Sequence, residues 1–306
     1  MTQDTIRFDD RVAIVTGAGN GLGRSHALGL ASRGAKVVVN DIGGTLDGAG
    51  KSASAAAQVV AEIEAAGGAA ITDNTDVTDF VQVVAMVERA RTRWGRVDVL
   101  VNNAGILRDK SFGKMELADF RAVLEVHVMG AVNCCKAVWE LMRAQTYGRI
   151  VLTTSSSGLY GNFGQANYGT AKAAMIGLMN VLHHEGQKNN IRVNILSPTA
   201  ATRMTEPLLA ADDKALLTPE SVTPAVLYLV SADAPSRLML CAGAGCFAQA
   251  ELLETEGIYL PESERAPETI ARCFGEIADP AGRRNLADAW SQTKKYVAKA
   301  RAAGGA

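Results

Sequence analysis

The feature that most limits what this chain can fold into is an alternation. Short, apolar, strand-forming runs are each followed by a longer stretch of helical composition. Val12–Val15, Lys36–Val39, the weak pair Ala70–Ile71, Val97–Val101, Arg149–Thr153 and Ile191–Leu196 are the strand candidates. Helical stretches run to about Ser32, then over Ser54–Ala66, Val81–Thr92, Leu117–Ala144 and Asn167–Lys188, the Ser54 stretch being rich in alanine, a strong helix former. Strands that are apolar throughout belong to sheets covered on both faces. Strand–helix–strand crossovers are right-handed, so the pattern predicts an α/β fold: a doubly wound parallel sheet with helices on both faces. After Ser197 the rhythm weakens. Pro207, Pro219 and Pro224 interrupt the chain, Val226–Val230 continues a helix, and the tail past about Ala250 is more charged, with Asp288–Arg301 its best helix. The expectation is one core-bearing domain over 1–250 and a helical extension over 251–306 that is not an independent domain.

Charge excludes some partners. Lysine plus arginine number 31 against 32 aspartate plus glutamate, giving a net charge of −1. No general attraction to nucleic acid or to an anionic membrane follows, and neither is expected as a partner. Cys134, Cys135, Cys241, Cys246 and Cys273 have no zinc-type spacing and read as buried small residues in a reducing compartment. The first residues are polar, and no uninterrupted apolar run reaches the roughly 18 residues of a membrane span. A cytoplasmic protein is the expectation.

The first strand runs straight into Thr16-Gly17-Ala18-Gly19-Asn20-Gly21-Leu22-Gly23. Glycines let the backbone turn tightly and approach a pyrophosphate, and the following helix presents its N-terminal amides and dipole to it. A glycine-rich turn alone is often only a turn; the strand before it, the helix after it and an acid further on supply the required context. That acid is Asp41, at the end of the second strand. A carboxylate there accepts hydrogen bonds from ribose hydroxyls and repels a 2′-phosphate, and no basic residue adjoins it, so NAD is favoured over NADP. Asp76 and Val77 follow the third strand, where an adenine would rest, and Asn102-Asn103-Ala104-Gly105 ends the fourth. Ligands of open α/β sheets bind beyond the carboxyl ends of the strands, where all these motifs fall.

Tyr168 and Lys172 stand one turn apart at the start of a helix and so share a face. A free phenol, with a pKa of about 10, is a poor base near neutrality. A lysine charge beside it lowers that value, and an oxidised nicotinamide would add to the effect. Ser155 lies in Thr153-Thr154-Ser155-Ser156-Ser157-Gly158, after the fifth strand, and its hydroxyl can hold a reacting oxygen as charge develops. Serine clusters after strands are more often turn formers. Leu159, Tyr160 and Phe163 offer an apolar wall that discriminates poorly between substrates.

Together, Gly17-x-x-x-Gly21-x-Gly23, Asn102–Gly105, Ser155 and Tyr168-x-x-x-Lys172 resemble the short-chain dehydrogenase/reductase family over about residues 8 to 245. The resemblance implies a Rossmann-type fold and an NAD-dependent oxidoreductase acting on a small-molecule secondary alcohol. Tyr168 would be the general acid/base, Lys172 would bind the ribose and lower the tyrosine pKa, and Ser155 would orient the substrate, with Tyr168 and Lys172 both against the cofactor. Val39–Gly44, Asn103–Asp109, Gly158–Tyr168 and the insertion from Asp41 to about Lys51 are similar to the (3R)-hydroxyacyl-CoA dehydrogenase domains of multifunctional enzymes within that family. A 3-hydroxyacyl-CoA is therefore the first substrate expectation and a hydroxysteroid the second. A non-catalytic NAD-binding protein is the third reading, opposed by the complete Ser155, Tyr168 and Lys172 set. NADPH-dependent reduction of a 3-oxoacyl carrier protein conflicts with Asp41. Ser197-Pro198 and Thr202-Arg203-Met204-Thr205 fit the same group, which implies Pro198, Thr202 and Met204 beside the nicotinamide.

Two positions depart from the family pattern. Most members carry an asparagine that anchors a relay water where this chain has His127, whose imidazole can donate and accept and so hold the water instead; a buried structural histidine is the alternative. Thr199 replaces a common glycine. The resemblance also implies a homodimer or homotetramer packed through His127–Trp139 and Tyr168–His184. The tail after Ala250 leaves two readings open, a cap on the active site or an extension of the interface. No peroxisomal address ends the sequence.

Overall fold

The structure, a computed structural model, describes residues 5–45, 47–48, 50, 54–202 and 210–304. Its strands are β1 (Val12–Thr16), β2 (Lys36–Asn40), β3 (Ala69–Asp73), β4 (Val99–Asn102), β5 (Gly148–Thr153), β6 (Ile191–Pro198), β7 (Met239–Gly243) and β8 (Cys246–Ala250). They form one sheet in the order β3-β2-β1-β4-β5-β6-β7-β8, with β1 to β7 all paired in parallel. The central strands β1, β4 and β5, apolar along most of their length, are buried throughout, as expected of a sheet covered on both faces. The order reverses between β1 and β4, which opens a crevice at their carboxyl ends.

The helices of the same unit are α1 (Gly21–Ser32), α2 (Ser54–Ala65), α3 (Phe80–Trp94), α4 (Leu117–Leu124), α5 (Gly130–Gln145), α6 (Ser156–Tyr160), α7 (Ala166–Gly186), α8 (Ala211–Leu216) and α9 (Pro219–Leu229). Local chemistry sets their ends. Asp79 caps α3 by accepting from the amides of Val81 and Gln82, and Gly95 closes it in the left-handed conformation at φ 83°. Thr218 caps α9, whose first residue is Pro219. One face of the sheet packs on α1, α2 and α9 through Val15, Leu30, Val37, Ile63, Val226 and their neighbours.

At the end of the sheet away from the crevice, the buried Asp98 accepts from Arg11 (2.9 Å), Arg96 (2.6 Å) and the Val12 amide (3.0 Å). The guanidinium groups of Arg11 and Arg149 both lie over the Tyr147 ring, 3.9 and 4.2 Å from its centroid.

The structure corrects several boundaries. β3 is a full five-residue strand, and β4 begins at Val99, after Val97. The single helix expected over Leu117–Ala144 is interrupted by a π-helical turn, Glu125–Met129. The stretch Leu117–Gln145 is long and apolar enough to cross a membrane, but Val123, Cys134, Cys135, Val138 and Met142 are buried within this unit, as in a core helix. The sequence pattern missed β7 and β8. Ala244 and Gly245 join them at φ 49° and 74°, the paired positive angles of a two-residue hairpin, so β8 returns antiparallel. Only Cys134 and Cys135 are buried; Cys246 is exposed on β8, against expectation.

The chain divides into two compact units, Met1–Gln249 and Ala250–Ala306. The second contains α10 (Pro267–Arg272), α11 (Phe274–Ile277) and α12 (Ala289–Ala302). Within it the buried Lys295 pairs with Glu254 and donates to the Thr255 carbonyl at 2.8 Å, and Lys299 pairs with Glu256 at 3.1 Å. Asp288 caps α12 through the Ser291 amide.

Candidate active site

At the reversal point the turns after β1 and β4 are sewn together. The buried Thr16 hydroxyl accepts from the amides of Asn103 (3.0 Å) and Ala104 (3.1 Å). The Asn103 side chain answers by donating to the carbonyls of Thr16 (3.1 Å) and Gly17 (3.0 Å). This close approach explains the glycines. Gly17 sits at φ +62°, and a Cβ there would lie 2.8 Å from the Ala104 Cα; a Cβ on Gly23 would lie 2.2 Å from the Gly17 carbonyl oxygen.

The result is a cleft of about 300 Å3. Gly17, Asn20, Gly21 and Leu22 form one wall, and Asp41, Asp76 and Val77 a second. Asn103, Ala104 and Gly105 form a third, with Thr202 at the rim. Gly23 does not line it and serves the packing just described. Pro198, at the end of β6, and the side chains of Tyr168 and Lys172 are also outside the cleft's lining. Met204, with Arg203 and Thr205, lies outside the described residues. The pattern missed Asn40, Thr45, Gly48, Ile106 and Val126, which line the cleft as well; all but Val126 adjoin a motif already in view.

Asp41 is fixed by the backbone. Gly19 donates to one carboxylate oxygen (2.8 Å) and Gly43 to the other (2.7 Å). Behind it, the Asn40 side chain donates to Asp73 (3.1 Å) and to the Thr75 carbonyl (3.0 Å), fastening the ends of β2 and β3. At the opposite wall, the N-cap Asn20 makes no side-chain bond to α1, and the first turn of α1 carries no acidic residue. The amides of the first turn of α1 and the helix dipole suit a pyrophosphate, and the Asp41 carboxylate suits a ribose diol, so these residues fit a dinucleotide.

Ser155, Tyr168 and Lys172 converge beyond the carboxyl end of β5. Ser155 caps α6, its hydroxyl accepting from the Ser157 amide at 3.3 Å. Lys172 is buried and donates to the Thr153 carbonyl at 2.9 Å, while the Thr154 hydroxyl donates to the Lys172 carbonyl at 2.6 Å. A Cβ on Gly158 would lie 2.7 Å from that of Lys172, so glycine lets α6 seat on α7. Burial brings the Lys172 ammonium down to about 7. Tyr168 corrects an expectation. Its phenol is held above its ordinary value of 10, chiefly by burial, with a hydrogen bond from Ser155 pulling it down and the Asp109 charge pushing it up. The Lys172 ammonium lies 5.6 Å from the phenol ring centroid and is bound to a carbonyl, so its charge does not dominate here.

His127 sits in the π-helical turn, buried, edge-on to Tyr168 with ring centroids 5.3 Å apart. Its Nε2 lies 2.8 Å from the Ile106 carbonyl and 3.1 Å from the Ile106 amide. Burial, and then the Lys172 charge, bring its pKa down to about 3, so it is neutral at pH 7. Nδ1 has no partner among the described residues, and neither has the Thr153 hydroxyl. His127, Thr153 and Lys172 all line a small cavity of about 10 Å3, about the room one water needs.

The short chain dehydrogenase family model matches residues 11–213. This chain is a short-chain dehydrogenase/reductase. It is therefore an oxidoreductase. Peroxisomal multifunctional enzyme A of Dictyostelium discoideum is 44% identical over 273 residues, covering 89% of this chain and 61% of that protein. The peroxisomal hydratase-dehydrogenase-epimerase of Saccharomyces cerevisiae is 46% identical over 277 residues, covering 90% of this chain and 31% of that one. The structure of full-length peroxisomal multifunctional enzyme type 2 from Drosophila melanogaster superposes with a TM-score of 0.79 at 34% identity, covering 96% of this chain and 49% of that one. The chain thus spans between about a third and two thirds of the length of these multifunctional relatives.

Proposed function

We propose that the chain uses NAD to oxidise a 3-hydroxyacyl-CoA to the 3-oxoacyl-CoA. The observation that carries the reading is the placement of Ser155, Tyr168 and Lys172 beside a cleft whose second wall is a backbone-anchored aspartate. Gly17, Asn20, Gly21 and Leu22 would hold the pyrophosphate and Asp41 the adenosine ribose, with Asp76 and Val77 by the adenine. Asn103, Ala104, Gly105, Pro198, Thr202 and Met204 would serve the nicotinamide half. When bound, the nicotinamide supplies the hydride acceptor. Ser155 then holds the alcohol oxygen, and the Tyr168 phenolate takes the hydroxyl proton as the carbon–oxygen bond becomes a carbonyl. Lys172, in its protonated state, offsets part of the burial cost of that phenolate without outweighing it. His127 Nδ1, the Thr153 hydroxyl and the Lys172 ammonium would hold one water between them; the ammonium passes one of its own protons to that water and takes up the Tyr168 proton in exchange, so that Lys172 ends as charged as it began. Neutral His127 can accept from the water and is too weak a base to keep the proton.

The 3-hydroxyacyl-CoA substrate is supported by similarity to multifunctional enzymes, one of them named a hydratase-dehydrogenase-epimerase. The exposed Tyr160 and Phe163 supply an apolar approach that an acyl chain or a steroid would use equally. Assembly as a homodimer or homotetramer through α5 and α7 fits the exposed Met129 and Val181 beside and on those helices. The named relatives are peroxisomal, which sets a second compartment against the cytoplasmic expectation. The test is NAD reduction with (3R)- and (3S)-3-hydroxyacyl-CoAs and a set of hydroxysteroids. Turnover of one acyl-CoA stereoisomer is expected; turnover of free steroids alone contradicts the reading.

A further inference from the structure

The cofactor wall and the catalytic helix come from distant parts of the chain, and something must hold them in register. Asn167 is fully buried, next to Tyr168 in the first turn of α7. Its side-chain amide donates to the Arg108 carbonyl at 2.9 Å, and its side-chain oxygen accepts from the Tyr168 backbone amide at 2.7 Å. Arg108 lies in the segment that continues from Gly105 and Ile106, the third wall of the cleft.

Two further bonds join the same segments. The Lys110 amide donates to the Gly164 carbonyl at 2.9 Å. Gln165 donates to an Asp109 carboxylate oxygen at 2.6 Å and accepts from the Ser157 hydroxyl at 2.7 Å. Gln165 is the N-cap of α7, yet it makes no side-chain bond to its own helix; its side chain is committed across to Asp109 and Ser157. Gly164, at φ +81°, gives the chain the turn that brings its carbonyl to Lys110. On the other side, His127 grips Ile106. The segment Ile106–Lys110 is therefore a strap, tied at one end to the cleft wall and at the other to the residues around the phenol.

We propose that Asn167, assisted by Gln165, is a positioning residue that sets the Tyr168 phenol in register with the cofactor wall. An asparagine suits the task because one short side chain both donates to the strap and accepts from the helix start. A buried donor–acceptor pair fixes geometry more sharply than packing does, and misplacement by about 1 Å at a reacting group costs about a hundredfold in rate. The inference rests on Tyr168 acting as the acid/base.

The experiment uses the full chain and the variants Asn167→Ala and Gln165→Met, with amide hydrogen exchange measured with and without NAD. In the unaltered protein, NAD slows exchange in both Asn103–Lys110 and Gly164–Lys172. In Asn167→Ala the protection of Asn103–Gly105 stays and that of Gly164–Lys172 is lost. kcat falls by about 10- to 100-fold with KM for NAD within about twofold, because alignment and not binding is removed. A purely structural role would lower the melting temperature while leaving kcat and the protection of Gly164–Lys172 intact, and that result overturns the proposal. If Asn167→Ala does not fold, Gln165→Met carries the same test with a smaller effect of the same sign, and its full retention of both readouts overturns the proposal. A chain that turns over no acyl-CoA refutes the substrate reading alone, since the exchange readout still decides this one. Absence of NAD protection in the unaltered protein refutes both.

Discussion

Gly105 and His127 interlock, and the interlock can be broken in a calculable way. A Cβ on Gly105 would lie 2.2 Å from His127 Cε1 and 2.9 Å from each ring nitrogen. Carbon contacts are comfortable from about 3.5 Å, so the ring must retreat by roughly 1.3 Å. The ring is buried, packed edge-on to Tyr168 and bonded to Ile106 at 2.8 Å; a retreat of that size breaks the bond. Overpacking costs about 1–3 kcal/mol and the lost hydrogen bond about 1 kcal/mol more. Gly105→Ala should therefore destabilise the protein by roughly 2–4 kcal/mol, or about 4–8 °C in melting temperature at about 2 °C per kcal/mol for a unit of this size. Denaturant unfolding of Gly105→Ala, His127→Ala and the double variant gives the interaction directly. With the ring gone the new methyl has room, so the double variant should be more stable than the summed effects by about 1–3 kcal/mol. Gly113, where a Cβ meets nothing within 4 Å, is the control, and its alanine variant should stay within about 0.5 kcal/mol of the parent. An unshifted Gly105→Ala, or single effects that simply add, would refute the reasoning.

Other expectations come from the same geometry. Asp41→Ala removes the acceptor for the Gly19 and Gly43 amides and the charge facing a 2′-phosphate; KM for NAD should rise about tenfold and NADP should gain relative to NAD. Unchanged selectivity in initial-rate kinetics would count against that role. His26 is fully buried with Nδ1 3.0 Å from the Thr223 hydroxyl, and burial brings its pKa to about 3, below the ordinary 6.5. Between those values the unfolded chain binds a proton that the folded chain refuses. Stability is thus greatest above pH 6.5 and falls as pH drops toward 3, by at most about 1.4 kcal/mol per pH unit from this residue. His26→Leu should flatten the dependence of unfolding free energy on pH across that acid range; an identical slope would show that other groups govern it. Asp98→Ala leaves two arginines and the Val12 amide without their common acceptor. Both arginine side chains are about a third exposed, so screening limits the loss to about 2 kcal/mol, readable from chemical denaturation.

The parts legible in the sequence are those that local chemistry decides. Glycines at Gly17 and Gly21 signalled a turn because the backbone there needs positive φ, and Asp41 signalled a ribose partner because it ends a strand. What stayed hidden depends on distant contacts. The π-helical turn at Glu125–Met129 has no local signature, since it is fixed by His127 reaching Ile106 and by Gly130 making room for Val77. β3 looked weak because its alanines gain their strand character only against β2. The hairpin of β7 and β8 carries little apolar alternation, and β8 is largely exposed. Asn167 was invisible as the tie between the Ile106–Lys110 strap and α7 because a buried asparagine looks like any other until both its partners are in place. The burial that raises the Tyr168 phenol is set by the elements packed around α7 and cannot be read from the Tyr168–Lys172 spacing alone.

The most direct test of the central claim is the rate of NADH formation in a single turnover, with saturating NAD and a 3-hydroxyacyl-CoA, comparing the unaltered protein with Tyr168→Phe. Phenylalanine keeps the ring against His127 and removes only the hydroxyl that takes the proton. The account expects NAD affinity to be retained and the hydride-transfer rate to fall by about a hundredfold or more. Undiminished turnover in Tyr168→Phe would contradict it.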